Sequence, residues 1–243
     1  MKLQKLLSLT RQAIDEYGMI QENDKIAVGI SGGKDSLTLL YALSCLRKFY
    51  PHKFDIVAVT VDLGFDNLNL DGIRKFCKER DVEYHVIKTQ IAEVVFHIRE
   101  ESNPCSLCAK MRKGALNDAV KELGCNKVAY AHHKDDLLES MMMSFLFEGR
   151  IHTFAPVTYL DRSGITVIRP LLFLYEGDVK GFVKEYHLPV VKSPCPVDGS
   201  TKEDVKNLIG EINHQYPGAK ARMIRAVLDD VVNVDKIHER KEQ

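Results

Sequence analysis

The sequence predicts an α/β fold in which a parallel sheet of five strands carries helices on both faces. Two observations predict it. Five apolar runs of strand length recur along the 243 residues, and stretches of helical character lie between them. Near-continuous apolar strands that alternate with helices indicate a parallel sheet that is buried on both sides. A chain of this length also has enough residues to bury a sizeable core.

The elements follow from the pattern of apolar residues. The five strands are predicted at residues 25–30, 54–61, 82–88, 126–132 and 165–171. Helices are predicted at residues 35–49, 69–80, 106–123, 135–148, 176–186 and 202–213. The first 20 residues read as an amphipathic helix and are too polar for a signal peptide. The stretch from Thr89 to Cys108 lacks clear periodicity, so we expect an inserted loop that carries function.

Composition limits the classes of function. Lys plus Arg and Asp plus Glu each number 34, so the formal net charge is zero and any contact with RNA must come from a local patch. No apolar run is long enough to span a bilayer, and we therefore expect a cytoplasmic protein. The six cysteines of such a chain are core residues, reactive thiols or metal ligands rather than a disulfide framework.

A glycine-rich loop follows the first strand. It consists of Ser31, Gly32, Gly33, Lys34, Asp35 and Ser36. Paired glycines let the backbone turn tightly, and free N–H groups at the start of a helix attract an anion. The serine hydroxyls and Lys34 add donors and positive charge, so the loop predicts a phosphate site. Asp35 would serve Mg²⁺ or the loop itself, because a carboxylate repels phosphate. An ordinary strand–turn–helix corner is the alternative, although such a corner does not need these side chains together.

Three of the six cysteines have the character of metal ligands. Cys105 and Cys108 lie three apart, before or within the first turn of a helix, where both sulfurs can face one metal. A redox pair is the alternative. Cys195 lies between two prolines in a rigid loop, which suits a ligand better than a core residue. Three thiolates can hold zinc with a fourth ligand, or three irons of a [4Fe–4S] cluster, and spacing alone does not choose. The remaining cysteines are interpreted as core or incidental residues: Cys45, Cys77 and Cys125.

A polar segment follows the fourth strand, at the carboxyl end where ligands bind in open α/β sheets. It contains His132, His133, Lys134, Asp135 and Asp136. Either histidine could supply a fourth metal ligand. One of the two aspartates is expected to cap the next helix, while the other could bind Mg²⁺ or transfer a proton.

These motifs occur together and in order, and the chain resembles the tRNA 2-thiocytidine biosynthesis family of the PP-loop ATP pyrophosphatases. It is similar, more loosely, to the tRNA 2-thiouridine enzymes. The resemblance rests on the glycine loop and on CSLCAKMRKG, AHHKDD, VIRPL and PCPVDGS, and it covers roughly residues 20–215. It implies a Rossmann-like HUP fold with ATP bound by residues 31–36, and an oxygen-sensitive [4Fe–4S] cluster held by Cys105, Cys108 and Cys195. Asp135 maps onto the active-site aspartate. The chain departs from the family at Ala131, where glycine is frequent.

The resemblance implies ATP-dependent thiolation of tRNA at C2 of a pyrimidine, with cytidine as the first choice. ATP would adenylate the C2 oxygen and release diphosphate, while the loop, Lys34 and Mg²⁺ stabilise the developing charge. A sulfide on the open iron would then displace AMP, and a cysteine persulfide is the competing sulfur source. The sulfur donor would be inorganic sulfide or a cysteine desulfurase. The alternatives are a PP-loop tRNA-modifying enzyme or amidoligase without a cluster, and a non-catalytic metal-binding sensor.

The remaining expectations concern binding and organisation. Val61 and Asp62 would meet the adenine and ribose, His132 is assigned to the cofactor site, and Phe65 is a candidate for stacking a base. Two basic clusters could meet RNA phosphates: Lys110, Arg112 and Lys113, then Lys220, Arg222 and Arg225. The second cluster could equally be a solvated helix face. We expect an N-terminal helix at residues 1–22, a catalytic domain at 23–215 and a helical tail at 216–243. A homodimer is plausible, because small RNA enzymes often read a helix with two subunits.

Overall fold

A computed structural model of the chain describes residues 1–66, 68–99, 104–192, 194–195 and 201–233. Its centre is a six-stranded sheet with the strand order β3-β2-β1-β4-β6-β5. The strands are β1 Asp24–Gly29, β2 Phe54–Asp62, β3 Glu83–Lys88, β4 Lys127–Ala129, β5 Val157–Leu160 and β6 Ile165–Ile168. All neighbouring pairs are parallel except β5 and β6. The predicted α/β fold is therefore confirmed.

The sheet has six strands where five were predicted. Each predicted run forms a strand, and β5 is the addition. This strand has four residues, pairs antiparallel with β6 at the edge of the sheet and buries none of its residues fully. A short edge strand with one solvated face has no continuous apolar run, which explains why the pattern did not reveal it.

Helices cover both faces of the sheet. They are α1 Leu3–Glu16, α2 Lys34–Leu46, α3 Asp71–Glu79, α4 Ile91–Glu93, α5 Pro104–Glu122, α6 Lys134–Met143, α7 Glu176–Tyr186, α8 Thr201–Gln215 and α9 Ala219–Val227. Three of them, α4, α6 and α9, continue into wider π-helical turns at Val94–Ile98, Ser144–Glu148 and Leu228–Val232. Each predicted helix has a counterpart in this set. In the described part of the chain, no helix has the length and apolar character needed to cross a membrane.

The stretch from Thr89 to Cys108 is more ordered than the loop that we expected. Its first half is helical from Ile91 to Ile98, and its end already belongs to α5. Ile91 and Val95 are buried there, so one face of this short helix packs on the core. These eight residues are too few to show a clear helical period. Residues 100–103 of the stretch lie outside the described residues.

Two cores lie on the two faces of the sheet. Alternate residues of β1 show the division, since Ile26 and Val28 join one core and Ala27 joins the other. The first core packs the sheet against α1, α2, α3 and α7, and the second packs it against α5. The predicted division at residues 1–22, 23–215 and 216–243 stays a prediction, and α1 shares the first core with the sheet.

A third, smaller core joins the C-terminal helices to α6. Its buried residues are Leu137, Leu138, Leu172, Val205, Ile209, Ile224 and Val227. Since α6 begins at the carboxyl end of β4, this core brings α8 and α9 to the functional edge of the sheet. Of the predicted helical tail, residues 234–243 lie outside the described residues.

Candidate functional site

The strand order reverses at β1, which lies between β2 and β4. The carboxyl ends of β1 and β4 therefore open a crevice, the usual ligand site of open α/β sheets. The glycine loop follows β1 and the His-His-Lys-Asp-Asp segment follows β4. The two motifs, about 100 residues apart in sequence, consequently face the same crevice.

The backbone of the glycine loop needs glycine at Gly32. This residue has φ +80°, a left-handed conformation, and a Cβ there would lie 3.2 Å from Cβ of Val191. The Gly32 carbonyl also accepts a hydrogen bond of 2.9 Å from the backbone N–H of Val191. Any side chain at this position would combine backbone strain with a steric conflict. The loop is thus joined directly to the segment that leads to Cys195.

The two serines of the loop support its backbone. Ser36 Oγ donates to the Gly33 carbonyl at 3.0 Å and accepts from the Ser31 N–H at 3.3 Å. Ser31 Oγ lies 3.3 Å from Ser36 Oγ and accepts from the Gly33 N–H at 3.3 Å. These bonds give the loop its turn before a ligand arrives. Donation by the same hydroxyls to a phosphate stays a prediction.

Lys34 and Asp35 form an ion pair at the start of α2. Lys34 Nζ lies 2.8 Å from Asp35 Oδ2 and 3.2 Å from Glu176 Oε1. Burial disfavours the ammonium, but hydrogen bonds and charges from these two carboxylates prevail and raise the pKa of Lys34. Asp35 Oδ1 is buried, lies 3.5 Å from His133 Nε2 and has no hydrogen-bond partner within the described residues. An acceptor of this kind suits the Mg²⁺ that the sequence assigns to Asp35.

His133 connects the loop to α6. Its Nδ1 accepts from the Asp136 N–H at 3.4 Å, and Asp136 Oδ2 accepts from the His133 N–H at 3.0 Å, which completes a capping box. Asp136 is therefore the aspartate that caps the helix. Burial disfavours the imidazolium, but the nearby carboxylates of Asp35 and Asp136 raise the pKa of His133.

Asp135 is the aspartate that remains. Its side chain is only 3% exposed. Oδ2 accepts a 2.6 Å hydrogen bond from the backbone N–H of Glu176, and Oδ1 is paired with Nζ of Lys220. His133 Nδ1 lies 3.6 Å from the same carboxylate. The residue that the resemblance assigns to catalysis is thus joined to both α7 and α9.

His132 is held by an arginine from the Val-Ile-Arg-Pro-Leu motif. Arg169 Nε donates to His132 Nδ1 at 3.1 Å, and the imidazole stacks on Phe154 with ring centroids 4.7 Å apart. Burial and the charge of Arg169 lower the pKa of His132 to about 4. The ring is therefore neutral near pH 7, with its proton on Nε2. Its assignment to the cofactor site stays a prediction.

Of the predicted metal ligands, Cys105 and Cys195 both lie within electrostatic range of Cys108. Cys105 and Cys108 lie at the start of α5, as predicted. Burial raises the pKa of Cys108, the charge of Arg112 lowers it, and the thiolates of Cys195 and Cys105 raise it further. The last two effects require both sulfurs to lie within electrostatic range of Cys108. Cys105 is exposed, and Cys108 and Cys195 are half-buried.

The donor set suits a soft metal or an iron–sulfur cluster, because all three groups are thiols. In the part of the chain that the structure describes, no three His, Cys, Asp or Glu side chains stand close enough together to hold a metal ion as placed. The other cysteines match their structural interpretation, since Cys77 and Cys125 are buried and Cys45 lies within α2. Burial raises the pKa of Cys77 to about 11.

The loop after β2 lies at the same edge as the glycine loop, because β2 pairs with β1 in parallel. Asp62 Oδ1 accepts from the Gly64 N–H at 3.0 Å, and the Asp62 carbonyl accepts from the Thr89 hydroxyl at 2.8 Å. Phe65 packs against Phe96 with centroids 5.8 Å apart. Contacts of Val61 and Asp62 with a nucleotide, and stacking of a base on Phe65, stay predictions.

The two predicted RNA-binding clusters differ. Lys110, Arg112 and Lys113 are exposed on α5, beside the cysteines. In the second cluster, Lys220 is paired with Asp135 and Arg225 lies 3.4 Å from Asp229. The second cluster is thus partly committed to contacts within the chain, which favours the first as a phosphate-binding surface.

Sequence reasoning missed Glu176 and two lysines of α8. Glu176 Oε1 lies 3.2 Å from Nζ of both Lys34 and Lys206. Lys202 pairs with Asp136 and, at 3.3 Å, with Glu139. An acidic residue in the first turn of a predicted helix was the available signal for Glu176. Its partners come from other helices, so no local pattern could identify them.

Comparisons with known proteins agree with this geometry. A model of the PP-loop domain matches residues 3–198. The tRNA-cytidine(32) 2-sulfurtransferase of Geobacter sulfurreducens is 35% identical over 233 residues, which cover 93% of this chain and 90% of that protein. The same enzyme of Geotalea daltonii is 37% identical over 220 residues, 89% of this chain and 87% of the relative.

Solved structures of related proteins have a similar fold. The U34-tRNA thiolase of Methanococcus maripaludis, solved with its [4Fe–4S] cluster, superposes with a TM-score of 0.75 at 26% identity. The match covers 91% of this chain and 76% of that one. An NH3-dependent NAD synthetase of Campylobacter jejuni shares the fold, with a TM-score of 0.52 at 18% identity and coverage of 95% of both chains.

Proposed function

Since this chain belongs to the PP-loop family and, within it, to the tRNA-cytidine 2-sulfurtransferases, we propose that it replaces the C2 oxygen of cytidine 32 in tRNA with sulfur. ATP is the activating substrate. The observation that carries the proposal is the hydrogen bond between the Gly32 carbonyl and the Val191 N–H, which joins the glycine loop to the segment that leads to Cys195. Cys195 also lies within electrostatic range of Cys108. Both observations support sulfur handling close to a phosphate-binding loop.

The glycine loop and Lys34 handle the nucleotide. The free N–H groups at the start of α2 and the Lys34 ammonium hold the diphosphate portion of ATP. The C2 oxygen of the base attacks the α-phosphate, the bond to the β-phosphate breaks, and AMP is left on the base oxygen. The same donors stabilise the negative charge that grows on the departing diphosphate. Asp35, with its unpartnered oxygen, is the residue that would hold Mg²⁺.

Asp135 and His133 organise the opposite wall of the crevice. His133 links Asp35 of the loop to the start of α6, and Asp135 fixes the start of α7 through the Glu176 N–H. These contacts hold the glycine loop, α6 and α7 in one arrangement. Attack at C2 requires the base and the nucleotide to be aligned within a fraction of an ångström, so rigid supports of this kind contribute to the rate.

Cys105, Cys108 and Cys195 would hold a [4Fe–4S] cluster. When bound, such a cluster supplies an iron with an open position that can carry sulfide. The thiol donor set and the cluster of the related Methanococcus thiolase support this assignment. Burial and the neighbouring Cys195 and Cys105 raise the pKa of Cys108, and a bound metal would offset that cost of ionisation. Arg112 already favours the thiolate form.

Sulfur donor and assembly complete the proposal. Inorganic sulfide or a cysteine desulfurase delivers the sulfur, and two copies of the chain form the RNA-binding unit. Exposed apolar side chains at the end of α6 offer a surface for such an assembly: Phe145, Leu146, Phe147 and Ile151. The exposed basic residues of α5 lie beside the cysteines and suit the phosphates that flank the modified base.

Anaerobic purification with iron and sulfide analysis tests the proposed site. The Cys195→Ala variant should lose most of its iron, together with thiolation of tRNA, as measured by mass spectrometry of its nucleosides. Cys45→Ala is the matched control, because Cys45 is a half-buried cysteine of α2 outside the site, and it should retain both. An iron-free wild-type protein with full thiolation activity would instead support a cluster-independent PP-loop enzyme.

A further inference from the structure

We propose that Glu176 is a positioning residue that directs the Lys34 ammonium toward the diphosphate portion of ATP. This inference rests on the proposed use of ATP by the glycine loop. It adds a residue from outside the recognised motifs to the phosphate-binding apparatus.

Glu176 is the first residue of α7, and its side chain is 13% exposed. Both of its functional groups point toward the crevice. The carboxylate reaches Lys34 of the glycine loop at 3.2 Å, while the backbone N–H donates to Asp135 at 2.6 Å. One residue thus contacts the two motifs that follow β1 and β4. The positive end of α7 favours the carboxylate at this position.

The geometry of an ammonium group explains how Glu176 can direct Lys34. An ammonium has three N–H donors in a tetrahedral arrangement. Asp35 accepts one of them at 2.8 Å, and the Glu176 carboxylate attracts the ammonium from a second side as an ion-pair partner at 3.2 Å. Two fixed acceptors determine the direction of the third N–H. With Asp35 alone, Lys34 would keep one anchor and rotate about it.

Two further lysines near Glu176 preserve the attraction of Lys34 for an anion. Glu176 is also contacted by Lys206 and Lys180, each at 3.2 Å, and Lys180 touches the second carboxylate oxygen. These two lysines offset the negative charge of Glu176, which would otherwise cancel the charge of Lys34. The carboxylate therefore supplies direction at a small electrostatic cost to phosphate binding.

Two variants separate direction from charge. Glu176→Gln and Glu176→Ala both remove the negative charge, and both keep the backbone N–H that serves Asp135. Only Gln retains an oxygen that can accept from Lys34. The affinities of each full-length protein for inorganic diphosphate and for adenosine, measured by calorimetry without tRNA, report the phosphate and nucleoside parts of the site separately.

We expect Glu176→Ala to bind diphosphate about tenfold more weakly than wild type, and Glu176→Gln to recover much of this loss. Adenosine affinity should be unchanged in both, which a general structural defect would not produce. Lys184→Gln is the control and should bind both ligands normally, because Lys184 is an exposed residue in the last turn of α7, at the end of the helix away from Glu176.

Three other outcomes would contradict the positioning role of Glu176 or the proposed function. If both Glu176 variants bind diphosphate more tightly than wild type, Glu176 competes with phosphate for Lys34 and the positioning role is wrong. Equal losses for diphosphate and adenosine would assign a purely structural role. Failure of the wild-type protein to bind diphosphate, adenosine or ATP would instead contradict the proposed function itself.

Discussion

At the scale of single residues, three lysines keep the carboxylate of Glu176 ionised by lowering its pKa. Burial alone would raise its pKa, but hydrogen bonds from Lys206, Lys34 and Lys180 lower it to about 2. A carboxylate with a depressed folded-state pKa stabilises the protein above its ordinary pKa of 4.5. That contribution is lost as the pH falls from 4.5 through 2.

We therefore expect Glu176→Gln to be less stable than wild type at pH 7, by about 1–2 kcal/mol, because solvent around the partly exposed lysines screens these contacts. The difference should shrink as the pH falls below 4.5, because the unfolded wild-type chain then binds a proton that the folded carboxylate, with its pKa of about 2, does not yet bind. Urea unfolding at pH 7, 5, 4 and 3 measures it. A difference that stays constant over this range would show that the ionic contacts of Glu176 do not stabilise the fold.

At this scale the sequence predicts residue types better than partners. The glycine loop was identified because Gly32, Lys34 and the two serines lie within six positions of the sequence. A sequence motif can be recognised only when its residues are this close along the chain. The partner of Lys34 on α7 comes from a distant helix, so only the folded chain could reveal it. The role of Asp136 as helix cap was predicted only as one of two options, because both aspartates fit the local pattern.

At the scale of elements, α9 is joined to α6 by a buried ion pair. Asp135 is 3% exposed, and Lys220 of α9 supplies its cationic partner. Loss of one partner from a buried pair leaves an uncompensated charge, which costs more than the pair itself contributes. The C-terminal helices therefore stabilise the segment that carries Asp135, the proposed active-site aspartate.

Lys220→Met should lower the free energy of unfolding by about 2–3 kcal/mol, because the Glu176 N–H and His133 remain as partners of Asp135. The double variant with Asp135→Asn should recover part of this loss, as a double-mutant cycle in urea would show. Arg225→Met is the matched control on α9, since Arg225 is 84% exposed, and should change stability by less than about 0.5 kcal/mol. Additive losses in the cycle would contradict coupling between the two helices.

The predictability of the elements follows the length of their apolar patterns. Long, buried strands such as β1 and β2 and long helices such as α2 and α5 were predicted close to their observed positions. The edge strand β5 and the helical turns from Ile91 to Ile98 were missed. Each has too few residues to show a period, and tertiary contacts decide their conformation.

At the scale of the whole molecule, a protein with no net charge is proposed to bind tRNA, which is a polyanion. The formal net charge is zero, so a general electrostatic field cannot attract tRNA. Binding must then depend on a few local contacts with phosphates, and the exposed residues Lys110, Arg112 and Lys113 are the proposed contacts.

Replacement of Lys110, Arg112 and Lys113 together by Gln should weaken tRNA binding and reduce its dependence on salt. Each lost phosphate contact lowers the slope of log K against log salt by about 0.7–0.9, so the change should approach about 2 to 3. Filter binding between about 50 and 200 mM salt measures the slope. Lys75→Gln on α3, where the side chain is 80% exposed, is the control. An unchanged slope in the triple variant would place the RNA elsewhere on the surface.

The hydrogen bond between the Gly32 carbonyl and the Val191 N–H has a mechanical consequence. Cys195 follows Val191 by four positions, so the chain between them spans at most about 14 Å. A nucleotide that shifts Gly32 must either move Val191 with it or break this hydrogen bond. The position of Cys195 is therefore coupled to the position of the glycine loop. Binding at the two sites is then thermodynamically coupled. If ATP raises the affinity of the thiols for a metal group by some factor, the metal group raises the affinity for ATP by the same factor.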